Sequence, residues 1–153
     1  MKKLVIERKF RSSIDDVWRA FSTADTLKKW WSPKNMTATF ISIDFREGGV
    51  FRFCFSDESA NEFWGRGLYQ TMIEPSFFSY LDTFTDPDGN PVPPSYFGME
   101  GDEIVESLVN FEFANDGEFI SMKMTMDDSY DQAMTDEMAK GWNEMFDKLE
   151  SIL

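Results

Sequence analysis

Apolar positions in this chain repeat with two periods. From Tyr130 to the C-terminus they fall at Met134, Met138, Gly141 and Trp142, Met145 and Phe146, Leu149, and Ile152 and Leu153. Steps of three and four form one stripe on an α-helix. Asp136, Glu137, Lys140, Asn143, Glu144, Asp147, Lys148 and Glu150 occupy the other face. The spacing predicts a helix from Asp131 to Ile152, about 33 Å long at 1.5 Å per residue, enough to cross a whole sheet.

Before it, the period of two dominates. Lys3 to Phe10 reads as a strand. Ser13 with Asp16 resembles a capping box, and Ile14, Val17, Trp18 and Phe21 continue as a helical stripe. Thr23-Ala24-Asp25 opens a second short helix through Leu27 to Trp30, which Pro33 ends. Met36 to Phe45 is a strand with Ile41, Ile43 and Phe45 on one face, and Glu47-Gly48-Gly49 turns it into Val50 to Phe55. There Phe51, Phe53 and Phe55 share one face, Val50, Arg52 and Cys54 the other. Glu62 to Ile73 is a longer strand whose Gly65 and Gly67 permit bending. Phe77 to Thr85 follows the turn at Glu74-Pro75-Ser76. Ile104 to Phe113 and Phe119 to Met126 are the last strands, joined at Asn115-Asp116-Gly117. Between Asp86 and Asp102, prolines and glycines predict a long loop, of the kind that is functional or mobile in compact domains. The order β, α, α, six strands, α predicts an α+β fold: a seven-stranded antiparallel meander in one domain, residues 1–153, with the last helix as its cover.

Composition narrows the function. Aromatic residues make up 16% of the 153 positions, which demands a dense core or an apolar pocket. The net charge is −13, against nucleic-acid and anionic-membrane surfaces, which need clustered cations. With no histidine, the usual neutral-pH acid/base group and the histidine-based nucleophile and zinc systems are absent, and no cofactor or metal site is expected. Cys54 is the one cysteine, so no internal disulfide forms. The N-terminus shows no signal-peptide core and no run spans a membrane, so a cytoplasmic location is expected.

Two motif-like stretches are rejected. Gly65-Arg66-Gly67 lacks the third glycine of a dinucleotide loop and lies within a strand. Asp86, Asp88 and Asn90 open like a calcium loop, but Pro91 and Phe97 stand where glycine and glutamate belong. Arg52 and Arg66 fall within strands, where they suit either a ligand carboxylate or cross-strand ion pairs with the chain's many acids.

Several short motifs share an order with a known family. Val17-Trp18-Arg19-Ala20-Phe21, Leu27-Lys28-Lys29-Trp30-Trp31-Ser32-Pro33, Asp44-Phe45-Arg46-Glu47-Gly48-Gly49, Gly67-Leu68-Tyr69 before Glu74-Pro75, Asp88-Gly89-Asn90-Pro91, and Met138-Ala139-Lys140-Gly141-Trp142 before Leu149 run through nearly the whole chain. Together they resemble the START/Bet v 1-like (SRPBCC) superfamily, and more closely the family named after the C-terminal domain of the activator of Hsp90 ATPase (AHSA1-like). The resemblance implies a helix-grip fold and a central cavity that in relatives takes apolar small molecules. It carries no shared catalytic set. The expected function is binding of an apolar or aromatic ligand without catalysis. The expected lining is Trp30, Phe53, Tyr69, Tyr80, Phe111, Met122, Met124, Met138, Trp142 and Met145. Core packing is the ordinary reading of the same residues. The alternative is a cyclase-, aromatase- or dehydratase-like enzyme using Tyr69, Tyr80, Arg66 or Asp82. A homodimer or a chaperone contact stays open as a further partner.

Overall fold

The computed structural model describes residues 2–153. The strands are β1 (Lys3–Arg11), β2 (Thr37–Ile43), β3 (Val50–Ser56), β4 (Glu62–Ile73), β5 (Phe77–Phe84), β6 (Ser107–Asp116) and β7 (Phe119–Asp127). They form one seven-stranded antiparallel sheet in the order β1-β7-β6-β5-β4-β3-β2. Helices α1 (Ile14–Ser22) and α2 (Ala24–Trp30) lie between β1 and β2, and α3 (Gln132–Ile152) ends the chain. This is the α+β meander with a covering helix that the element order predicts, and the helix-grip fold that the resemblance implies. No helix among the described residues is long and apolar enough to cross a membrane.

Helices α1 and α3 start where their polar residues direct them. Ser13 accepts a hydrogen bond from the Asp16 amide at the head of α1, and Asp131 accepts one from Met134 at the head of α3. Thr23 departs from expectation. Its hydroxyl donates back to the Arg19 carbonyl and leaves the head of α2 without a side-chain cap. The strand predicted from Ile104 starts at Ser107, and the preceding loop holds a short 3-10 helix, Pro94–Phe97.

Alternation sorts the sheet's two faces. Val109, Phe111 and Phe113 on β6 and Ile120, Met122, Met124 and Met126 on β7 point inward and are buried. Helix α3 lies against that inner face, burying Met145, Phe146 and Leu149. Its earlier apolar positions, Met138, Ala139 and Trp142, are only partly buried against the core. Two ties set its position. Lys148 donates to the Ser32 hydroxyl at 2.8 Å and to the Pro33 and Met36 carbonyls at 2.9 and 3.1 Å, pinning α3 to the link between α2 and β2. At the other end, the buried Asp128 carboxylate accepts from the Thr135 hydroxyl at 2.7 Å and pairs with Lys2 at 3.4 Å. Burial alone would raise this carboxyl. The bonds from Thr135, the Tyr130 amide and Lys2 outweigh it and hold the group below its ordinary range.

Gly141 sits mid-helix in α3, where a methyl group would meet only Pro33, at 3.9 Å. Gly141→Ala is therefore expected to stabilise the protein by about 0.5–1 kcal/mol through helix propensity. A melting curve should rise by roughly 2–4 °C per kcal/mol; a fall would show that the site is tighter than its geometry.

Candidate functional site

The expected lining residues all enter one aromatic and methionine cluster, but as a packed core. Trp30, Tyr69, Tyr80, Phe111, Met122, Met124 and Met145 are buried, and Phe53, Met138 and Trp142 are partly so. Around Trp31 the rings meet edge to face. Trp31 meets Phe51, Phe53 and Trp142 at centroid distances of 5.1, 5.8 and 5.4 Å. The space left among Phe21, Leu27, Trp31, Phe51, Tyr69, Phe78 and Tyr80 is about 10 Å³, about the minimum for one water. Only Tyr69 and Tyr80 of the expected set border it. Two β4 glycines make this density attainable. A Cβ on Gly65 would lie 2.4 Å from the Phe53 ring, and one on Gly67 would lie 2.8 Å from the Tyr80 ring.

Two open grooves of about 700 Å³ lie outside this core, one over β1, β6 and β7 among Arg8, Lys9, Glu112 and Lys123, the other at the open end of the grip. The second separates the segment from Pro94 to Val105 from the chain between Ser129 and Glu137. Pro94, Val105, Tyr130, Ala133 and Met134 supply apolar wall, and Glu100, Asp102, Glu103, Asp131 and Glu137 a carboxylate rim. Next along the same helix stand the partly buried Met138 and Trp142. Phe97 anchors the loop side, with its ring 5.8 Å from Phe63 and 5.6 Å from Phe84. Apart from the Pro/Gly content of the loop, the sequence carries no signal for these wall residues, because they come from two segments that only the fold brings together.

Two polar groups lie inside. The Tyr80 hydroxyl is buried with no hydrogen-bond partner. Asp82, two residues on and on the same face, is largely buried, and removal from water raises its carboxyl from 3.8 to about 7. Burial first, then the Asp82 charge, raises the Tyr80 hydroxyl far above its ordinary value. Tyr130 is pushed up to about 12 by burial and by the Asp82 and Asp128 charges, which ties the groove wall to the interior carboxyl. Arg66, named with these as a polar candidate, is on the outer face opposite Arg52.

The raised Asp82 value makes a stability statement. The folded chain holds this proton more tightly than the unfolded chain. The carboxyl therefore costs nothing below about pH 3.8, and its cost grows to completion as pH passes about 7. Asp82→Asn should flatten that slope. Its advantage over the parent at pH 8 should be up to about 4 kcal/mol, at 1.36 kcal/mol per pKa unit, with none at pH 3.5. Parallel slopes in urea titrations across that range would place the carboxyl in water.

A family model described as "Activator of Hsp90 ATPase homolog 1-like protein" matches residues 11–153. The chain belongs to that family. No curated protein matches it. Among solved structures, protein Ms6760 from Mycobacterium smegmatis is 20% identical, covers 99% of this chain and 90% of its own, and has a TM-score of 0.82. An AHSA1 protein from Silicibacter pomeroyi is 17% identical over 98% of this chain and 96% of its own, with a TM-score of 0.77. Protein CV1439 from Chromobacterium violaceum is 18% identical over 98% and 95%, with a TM-score of 0.80. At these identities the likeness is one of fold. This AHSA1-like chain thus shares its curled sheet and long closing helix with proteins from several bacteria.

Proposed function

We propose that this AHSA1-like protein binds an apolar or aromatic small molecule at the open end of the grip, between the 94–105 loop and the first half of α3. The groove of about 700 Å³ carries this reading, since it is of ligand size. Its position supports the reading as well. The half of α3 that borders it is the half whose apolar side chains stay partly exposed. A ligand extends inward by displacing Met138 and Trp142, side chains of the kind that repack around varied guests. The carboxylate rim favours neutral or cationic ligands over anionic ones.

Thermal shift against neutral polyphenols, apolar amines and fatty acids tests this. A ligand at a hundred times its Kd stabilises by about 2.7 kcal/mol. Met134→Glu should remove that gain while leaving the unliganded melting point near the parent's. No stabilisation by any class, or stabilisation indifferent to Met134→Glu, overturns the reading.

A second reading is proton-transfer catalysis of the cyclase or dehydratase kind. Asp82 favours it: a carboxyl near neutrality beside an unpartnered tyrosine hydroxyl can hold or release a proton at working pH. If it holds, a ligand found by thermal shift is converted over time by the parent protein, seen as a changed mass or absorbance. Asp82→Asn binds the ligand but does not convert it. Conversion that survives Asp82→Asn removes this reading and leaves binding intact.

A further inference from the structure

The strand register assembles a second polar site on the outer face of the sheet. It makes no use of the groove, so its test stands apart from that reading. An aliphatic row, Val50, Leu68, Leu81 and Leu108, crosses β3 to β6. Another row holds Phe40, Cys54 and Trp64, with Thr85 bonded to Trp64 through its amide. Between them run Ser42, Arg52, Arg66 and Thr83. Arg52 and Arg66 are direct cross-strand partners, an arrangement that destabilises a sheet when the charges are alike.

In a chain with 28 acidic and 15 basic residues, arginines in a sheet are expected to find carboxylates. These two do not. Every ion pair among the described residues uses a different cation. No carboxylate stands at the paired positions of these rows, and Asp44, whose amide bonds to Val50 at the end of the aliphatic row, has its carboxylate on Arg46. The covering loop supplies none within ion-pair distance: the Asp86 carboxylate is turned into the loop by the Asp88 and Asn90 amides and the Asn90 side chain, and Asp88 pairs with neither arginine.

The donors at this spot outnumber the acceptors. Arg52 donates through Nη2 to the Pro87 carbonyl at 2.9 Å, but its Nε is buried without a partner. Trp64 Nε1 and Thr85 Oγ1 are buried and unpartnered too. The guanidinium stands over the paired rings of Trp64 and Phe40, 5.6 and 5.8 Å from their centroids, which are themselves 5.5 Å apart. Gly89 backs onto it so closely that a Cβ there would lie 3.4 Å from Cζ. Buried donors without acceptors point to a missing ion or water, and two arginines directly opposite on neighbouring strands select a negatively charged one. The planar guanidinium fork matches a carboxylate or a phosphate.

We propose that Arg52 and Arg66 hold an oxyanion on the outer face of the sheet, a carboxylate or phosphate group of a small molecule, beside the indole of Trp64. The aromatic row and the aliphatic row on either side give an organic carboxylate an apolar seat that inorganic phosphate would not use.

The test titrates the whole protein with sodium benzoate and, separately, sodium phosphate, at ionic strength held constant with sodium chloride. The readout is ¹⁵N NMR of the indole and arginine Nε–H signals, with Trp64→Phe assigning the indole. A saturable shift of the Trp64 and Arg52 signals is expected. Arg66→Gln should weaken it roughly tenfold or more, the loss of one charge-assisted pair. Saturation by benzoate alone assigns an organic carboxylate; saturation by phosphate assigns a phosphate group. A melting-point comparison supplies the second arm. Without either anion, Arg66→Gln should melt above the parent, and the added anion should stabilise only the parent. Shifts that do not saturate, or that are the same in Arg66→Gln, overturn the proposal and leave the two arginines held by solvent.

Discussion

Trp30→Ala is expected to destabilise the protein by about 3–5 kcal/mol, the cost of deleting a large aromatic side chain from a filled core. Trp30 has no exposed surface and packs against Phe21 at 4.8 Å, Trp31 at 5.3 Å and Phe146 at 6.4 Å between ring centroids. It joins α1, α2 and α3 at one point. Its indole N–H also donates to the Ala20 carbonyl at 2.9 Å, and truncation leaves that acceptor buried. With total stabilities of about 5–15 kcal/mol, the variant should be partly unfolded at 37 °C. Trp30→Phe separates the two contributions. It restores most of the volume but not the hydrogen bond, and should cost about 1–3 kcal/mol. Urea denaturation of both variants checks the ordering. A loss under 1 kcal/mol for Trp30→Ala would mean that the interior closes over the gap, contrary to the tight ring packing seen there.

Gly49→Ala is the second large effect, and its neighbour provides the control. A Cβ on Gly49 would lie 2.0 Å from the Asp44 carbonyl oxygen and 3.0 Å from that of Arg46, both backbone atoms of the same turn. No rotamer change relieves a collision with backbone, so the turn must open. Two further bonds go with it, since Gly48 donates to the Tyr69 carbonyl at 2.9 Å and the Gly49 carbonyl accepts from Tyr69 at 3.0 Å. The expected loss is about 3 kcal/mol or more, at or beyond the usual range for overpacking. Gly48 has the positive φ, +81°, and open space around it. Gly48→Ala should therefore cost only about 1–2 kcal/mol, the ordinary penalty for a left-handed residue. Melting curves give the ranking, and hydrogen exchange at the Tyr69 amide reports the turn. Equal losses for the two variants would contradict the geometry. The sequence motif marks both glycines alike; the coordinates show that they are needed for different reasons.

The element order was legible because each element here carries its own period. The outward and inward sets on β6 and β7 agree with alternation residue by residue, and α3 runs from Gln132, one residue past the predicted start at Asp131, to the predicted end at Ile152. Two readings went less far. The hydroxyl of Thr23 looked like a helix cap, yet it bonds backwards to Arg19; a hydroxyl has more than one local acceptor within reach, and composition does not choose among them. The expected cavity residues did gather in one cluster, where the space beside Tyr69 and Tyr80 is about 10 Å³. Period tells which side chains face inward. It does not tell whether facing rings interdigitate or stand apart, and that difference decides between a core and a pocket.

The amino-acid pattern by itself determined the strand and helix order, which residues share a face on alternating strands such as β3, and the absence of histidine chemistry. Those properties are local: they depend on spacing along a few residues, or on composition alone. The groove between the 94–105 loop and α3, the neutral-range carboxyl of Asp82 and the unpaired Arg52–Arg66 row were decided only by the tertiary structure. Each arises where segments distant in sequence meet, and burial and register, which set charge and space, exist only once the sheet has curled and the last helix has closed on it.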